Sequence, residues 1–560
     1  MSTLPKSCYL RLTTIVSATV FFVVNSCTNT FSMDFPTVTS VKTSLPVEIE
    51  SLSQTELENQ PTLTPPSLPA IWIAPEVPED IKRQMVLLPG FRLTNKADDA
   101  QLKLEIGSDS IASTWIYALV APFPTILDNV TSQQLISVWK GEPFDSNLPV
   151  ERLLVSRETK SVFDKAWGPA SKHVSVFPSE QILDQAWKDK SSWAIIPFQD
   201  IESRWKVLEI DGISPLRKGF DVKKYALRIE FSLHGPEHLV QKILGSGLIL
   251  RSNRDEHKLT TVILTGVTAL VRGTASMMEV KGLTYPAIDI RDWLREADIT
   301  HISNEIPFTP KCPPPYPREN NLVFCSAPKY IELLRDVGTD VVELTGDHFQ
   351  DWGPEAMLFT IDLYRQEGWQ FYGGGVNLEE ARKPLLIEHN GNKIAFLGCN
   401  AKGPGYAGAR ENQPGAALCD FAWMRQEIKK LRDEGYLPVV TFQHLEYYSY
   451  TAHPILQKDF RAMTEAGAVI VSGSQAHQPH AFEFVNQSLL HYGLGNLFFD
   501  QVFEGIPTRQ AFIDRHVFYN GRYIGTELLT IYFVDLARPR PMTVEERQDL
   551  LQTVFTASGW

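Results

Sequence analysis

Gly473-Ser474-Gln475-Ala476-His477-Gln478-Pro479-His480, followed shortly by Tyr492-Gly493-Leu494-Gly495-Asn496-Leu497-Phe498-Phe499-Asp500, is the stretch on which the reading of this chain turns. The run directly before it, Ala468-Val469-Ile470-Val471, is apolar and reads as a buried strand. A polar turn at the end of such a strand carries its imidazoles and amides to the carboxyl edge of a sheet, where ligand sites form. A single turn of this kind is equally compatible with a structural cap, so its context decides.

Three other segments repeat the pattern of apolar strand and polar turn. Asp340-Val341-Val342-Glu343-Leu344-Thr345 leads into Gly346-Asp347-His348-Phe349-Gln350-Asp351-Trp352-Gly353. Residues 298–303 lead into Asn304-Glu305-Ile306-Pro307, and Leu437-Pro438-Val439-Val440-Thr441-Phe442 leads into Gln443-His444-Leu445-Glu446-Tyr447. Carboxylates, amides and imidazoles converging from separate strands are what a divalent-metal hydrolase requires, because its ligands must surround one or two ions.

From about Thr261 to about Gln501 these motifs resemble the CapA family of bacterial capsule and poly-γ-glutamate synthesis proteins, whose domain is similar to calcineurin-like metallophosphoesterases. The family's opening strand and downstream Arg match Ile263-Leu264-Thr265-Gly266-Val267 and Arg272; its Asn-x-Glu turn resembles Ser303-Asn304-Glu305. Its Asn-Asn-His-x-x-Asp-x-Gly element resembles residues 346–353, its Gly-rich turn resembles Gly373-Gly374-Gly375, and its closing Ser-Leu-Gly-Asn-Phe element resembles Gly493-Leu494-Gly495-Asn496-Leu497. The resemblance implies an α/β fold: a metallophosphatase-like α/β/β/α sandwich over residues 257–535, followed by a C-terminal tail, residues 536–560.

The departures bear on chemistry. Where the family's first strand ends in a ligating Asp this chain has Val267, which offers an ion no lone pair. Alignment on Glu446-Tyr447 puts Phe442 at a ligand His, with His444 two positions on and facing the same side of a strand. Gln475 replaces the first imidazole of Gly-x-His-x-His, and His477 keeps the second. The resemblance therefore leaves Glu305, Asp347, His444 and His477 as metal ligands, with at most one divalent ion firmly bound. It also makes His348 a proton donor oriented by Asp351, and Arg272 a clamp for an anionic group. The residues alone also allow His348 and Asp351 to bond across a turn that opens a helix, and Arg272 to pair with a surface carboxylate.

At the amino terminus, Lys6 and Arg11 precede an apolar run from Ile15 to Val24, too short for a comfortable membrane span, which ends at Asn25-Ser26-Cys27. Residues 1–27 resemble a lipoprotein signal with Cys27 as the lipidation site, although Asn25 leaves plain secretion or an uncleaved anchor open. Residues 28–66, rich in Ser, Thr and Pro, read as a disordered tether. Of the remaining cysteines, Cys312 and Cys325 flank a Pro-rich loop and Cys399 and Cys419 a Gly-rich one, so two local disulfides are the simplest of three pairings.

Residues 67–235 carry the strand around Trp115–Val120, a Thr131 cap and an amphipathic helix ending at Gly141, an α/β step. With Trp193–Phe198 and Val207–Gly212, they resemble phosphate-type periplasmic solute-binding proteins. The chain of 560 residues, 43% hydrophobic, has room for two or three domains, and a net charge of -13 without a basic run argues against nucleic acid. The expected protein is therefore lipid-anchored in the cell envelope, outside the cytoplasm. It acts on an anionic exopolymer or with that polymer's synthesis machinery, in synthesis, export or attachment, through a degenerate site. The alternative is an active metal-dependent hydrolase of phosphoester or amide bonds.

Overall fold

The computed structural model describes residues 68–143, 148–318, 321–403, 405, 407–503 and 505–560, which form one compact unit. The signal, Cys27 and the tether lie outside the described residues.

The first part of this unit is built on a mixed sheet whose long central strand, Ile111–Pro122, pairs antiparallel with Arg228–His234 on one side and Ser192–Pro197 on the other. The expected α/β step is present. Thr131 caps the helix Ser132–Lys140 in a capping box with Gln134, and Gly141 ends it at φ 71, a left-handed conformation that suits glycine.

From Leu259 onward two sheets stack face to face. The first runs Gln370–Tyr372, Val341–Glu343, Ile299–Asn304, Leu259–Thr265, Gln510–Tyr519, Arg522–Phe533 and Pro539–Pro541, parallel through its first four strands and antiparallel thereafter. The second runs Leu385–His389, Asn392–Asn400, Leu437–Gln443, Ile470–Ser472, Ser488–His491 and Phe482–Val485. All four strands read from polar-tipped apolar runs are therefore present.

Side-chain alternation divides these strands between two packing faces. Val262, Leu264 and Phe512 of the first sheet meet Phe396, Val439 and Ile470 of the second in a core between the sheets. The opposite faces are covered by helices: Ile263, Ile302 and Val342 pack on Met278, Leu334, Met357 and Ile361, while Val440, Phe442 and Val471 pack on Met424, Ile428, Phe460 and Met463. This is the expected α/β/β/α sandwich, preceded by a smaller α/β region.

The last residues do more than trail from the fold. The helix Val544–Ala557 buries Leu550, Leu551, Val554 and Phe555, and Arg547 bonds Asp128 through both Nε and Nη2, at 2.7 and 2.8 Å. Phe555 meets Phe123 edge-on and Phe482 at a tilt, while Trp560 meets Phe123 edge-on and stacks on Phe482. Residues 536–560, read from the sequence as a tail, thus join the first α/β region to the second sheet.

Candidate metal centre

The parallel strands of both sheets end at one place. Glu305 follows Ile299–Asn304, Asp347 follows Val341–Glu343, Gln443 ends Leu437–Gln443, and Gln475 and His477 follow Ile470–Ser472. Gly346 allows the closest approach: a Cβ there would lie 2.5 to 2.8 Å from the backbone of Glu305, so only glycine brings Asp347 alongside that residue.

Glu305, Asp347 and His348 each offer a ligand atom, all within 4.8 Å of one another. Glu305 is fully buried and its Oε2 has no hydrogen-bond partner. Burial, then the neighbouring Asp347 charge, pushes the Glu305 carboxyl up to about 8. His348 Nδ1 bonds Asp351 Oδ2 at 2.7 Å, and the same oxygen accepts the Phe324 N–H at 2.7 Å. That bond directs the ring so that Nε2 is the nitrogen left for an ion or a reacting group. Burial opposes protonation of His348, but Asp351, Glu305 and Asp347 outweigh it and hold its pKa up at about 9.

Both disulfides form, Cys312 with Cys325 and Cys399 with Cys419, each in the local pairing expected. The first places Phe324 against the site, its ring 4.6 Å from that of His348.

The remaining expectations divide. His477 is buried, and its Nδ1 meets Asn496 Oδ1 at 3.0 Å; burial lowers its pKa against the pull of Glu446, so the 3.7 Å approach to Glu446 joins a neutral ring to a carboxylate. Gln475 donates to Ser303 Oγ, which ties the two sheets together at the site.

His444 is not a ligand. Its Nε2 faces Asp459 Oδ2 at 3.1 Å and its Nδ1 accepts the Leu445 N–H, so both nitrogens are engaged away from the carboxylates. Phe442 packs beside it in the helix-covered core, near Phe421 and Phe460. The parity inferred for Phe442 and His444 holds, but the face does not. Gln443, one residue off, points inward and donates to Asp347 Oδ1 at 2.9 Å, so the residue opposite the carboxylates is an amide.

Arg272 presents no free guanidinium. Its Nε and Nη2 bond Asp500 Oδ1 at 3.0 and 2.7 Å, its Nη2 reaches Gln501 at 3.1 Å, and it lies over the Phe324 and Phe499 rings. Val267 is fully buried in an apolar cluster with Ala269, Ile306, Phe324 and Phe499.

Two residues were missed from sequence. Lys402 Nζ bonds Asp347 Oδ2 at 2.6 Å and also Glu446. Lys402 sits beyond the strand Asn392–Asn400, with no local motif to mark it; Glu446 served only as an alignment anchor.

Residues 261–501 match the family described as bacterial capsule synthesis protein PGA_cap. The match spans 241 of the chain's 560 residues. Over 298 residues the chain is 24% identical to the capsule biosynthesis protein CapA of Bacillus anthracis, covering 52% of this chain and 71% of that protein. It is 28% identical over 221 residues to the PGA biosynthesis protein CapA of Bacillus subtilis strain 168, covering 39% of this chain and 56% of that one. An ABC-type phosphate transport receptor from Vibrio cholerae aligns at 12% identity and a TM-score of 0.27, covering 32% of this chain and 94% of the receptor.

The donor set of the matched domain fits one divalent ion. Two carboxylates and an imidazole are hard and borderline ligands within reach of a single centre, and the unpartnered buried Oε2 of Glu305 is an acceptor that a cation would satisfy. A second ion finds Val267, Gln443 and Gln475 in place of an aspartate and two imidazoles.

Proposed function

We propose that this chain is an extracytoplasmic, lipid-anchored protein that acts in making, exporting or attaching a capsule or poly-γ-glutamate polymer, and that its single-cation site binds the anionic polymer. The domain family and the two CapA relatives support the polymer class. The two disulfides and the lipoprotein-like residues 1–27 support the compartment. Among the described residues no helix is long and apolar enough to cross a membrane; the proposed anchor is the lipid on Cys27.

The observation that carries the binding reading is the inward-facing amide of Gln443 bonded to Asp347, where a two-metal centre needs an imidazole. A divalent ion held by Glu305, Asp347 and His348, when bound, supplies positive charge to an anionic ligand. The chain's own residues shape the site: Phe324 and Phe499 wall it, and Gln475 and Ser303 fasten the sheets.

One arrangement favours the hydrolase reading as well. With the ion held by the Glu305 and Asp347 carboxylates alone, the His348–Asp351 pair holds a protonated imidazole near neutral pH, its Nε2 left to deliver a proton to a leaving oxygen or nitrogen. Titrating the full chain with poly-γ-glutamate by light scattering, with and without manganese, while following hydrolysis of a phosphodiester and of the polymer, separates the two. Manganese-dependent polymer binding with background turnover is expected; brisk turnover establishes the hydrolase instead.

A further inference from the structure

We propose that Lys402 is a built-in cation of this site, occupying the place of a second divalent ion and limiting the centre to one; this rests on the single-cation reading above. Lys402 Nζ bridges Asp347 and Glu446, two carboxylates delivered by different sheets. It is held close: its side chain is 12% exposed, that of Asp347 4%. The backbone aims it, since its N–H donates to Asn400 Oδ1 at 2.9 Å and Asn400 Nδ2 in turn donates to the Thr345 carbonyl at 3.1 Å. Asn400 also lies opposite Gln443 in the strand register, which puts Lys402 beyond the same sheet edge.

Charge accounts for the arrangement. Asp347 and Glu446 together carry two negative charges, the first of them buried, and they need a nearby cation. Where two ions are held, imidazoles would turn lone pairs toward the second ion. Here N–H groups take that space: Gln443 donates to Asp347 Oδ1 and Gln475 to Ser303 Oγ, while Lys402 donates to Asp347 Oδ2. With both oxygens of Asp347 accepting hydrogen bonds, and His477 reaching it through Glu446 and Lys402, the lysine and the amide together take the role of the ion.

The consequence is chemical. An ammonium neutralises carboxylates as an ion does, but it has no vacant orbital with which to bind water and lower its pKa. The site therefore keeps a cation at that place, with one positive charge instead of an ion's two, and lacks a two-metal centre's second means of generating hydroxide.

Manganese binding to the full chain, measured by equilibrium dialysis with elemental analysis, tests this. The unmodified chain and Lys402→Arg should take up one equivalent, whereas Lys402→Gln, which strips the charge from between Asp347 and Glu446, should take up a second. An unchanged count in Lys402→Gln overturns the assignment, as does uptake of two ions by the unmodified chain. Should Lys402→Gln fail to fold, reductive methylation of the unmodified chain with peptide mass spectrometry gives the answer. Lys402 should stay protected with and without saturating manganese; labelling that appears with manganese means that the ion displaces the lysine and refutes the proposal. Polymer binding, measured apart from these counts, tests the proposed function alone.

Discussion

Replacing Arg272 by Met should destabilise the protein through a broken ion pair rather than through a lost substrate contact. The Arg272 side chain is 10% exposed and that of Asp500 1%, and Asp500 also accepts the Gly273 N–H at 2.9 Å. Removing the guanidinium leaves a buried carboxylate without its counter-charge, which costs about 3–5 kcal/mol, and forfeits the contacts with the Phe324 and Phe499 rings. Arg272 also adopts φ 44, a left-handed conformation that is unfavourable for a non-glycine residue, so the pair holds the backbone where it would not otherwise rest. Unfolding entropy near 2.1 cal/mol/K per residue over the roughly 490 residues of the compact unit gives about 1 kcal/mol/K, so 4 kcal/mol lowers a cooperative melting temperature by about 4 °C. Differential scanning calorimetry of Arg272→Met, Asp500→Asn and the double variant measures this, and strong non-additivity is expected because each single change strands its partner. A melting temperature unchanged in Arg272→Met, together with lost polymer binding, would refute the structural role and return Arg272 to the ligand.

Two further outcomes follow from buried groups elsewhere. Phe555→Ala should cost about 3–5 kcal/mol, since the ring is buried with Phe482 and Trp560 and fills the junction between the first α/β region and the second sheet; chemical denaturation checks it, and a loss under 1 kcal/mol would make the last helix a dispensable tail. Burial holds His480 and His516 down at about 4, so both are neutral in the fold, whereas the unfolded chain protonates them near 6.5. The unfolded state then binds more protons between pH 6.5 and 4, so their contribution is complete above 6.5, falls as pH drops through that window and is fully lost below 4. At pH 5 the loss is about 2 kcal/mol for each histidine, read from melting curves at pH 7 and 5; His516→Gln should flatten the drop, and a profile that is already flat contradicts the account.

Much of the fold was legible because its signals are local. Apolar runs ending in Gly-Asp-His, Asn-Glu or Gly-Ser-Gln turns announce strands that stop at a ligand edge, and Thr131 and Gly141 bracket their helix with backbone chemistry that any context preserves. The site was legible only where one residue decides position, as with Glu305, Asp347 and His348. Which face Phe442 and Gln443 present depends on which sheet the strand joins and which helix covers it, and a slip of one residue reverses every inward side chain. Lys402 carries no motif because its role is set by two carboxylates 55 and 44 positions away. Arg272 was legible as a possible carboxylate pair but not as a buried one: its partner, Asp500, is 228 residues distant and belongs to the closing turn that was read as part of the site signature.

The central claim is that the centre holds one divalent ion and no more. Crystals of the full chain grown in saturating manganese, with anomalous data collected at the manganese edge, test it directly. The account predicts one anomalous peak, lying among Glu305, Asp347 and Nε2 of His348, with Lys402 still bonded to Asp347 and Glu446. Two peaks, with His477 ligating the second and Lys402 turned away, would contradict it.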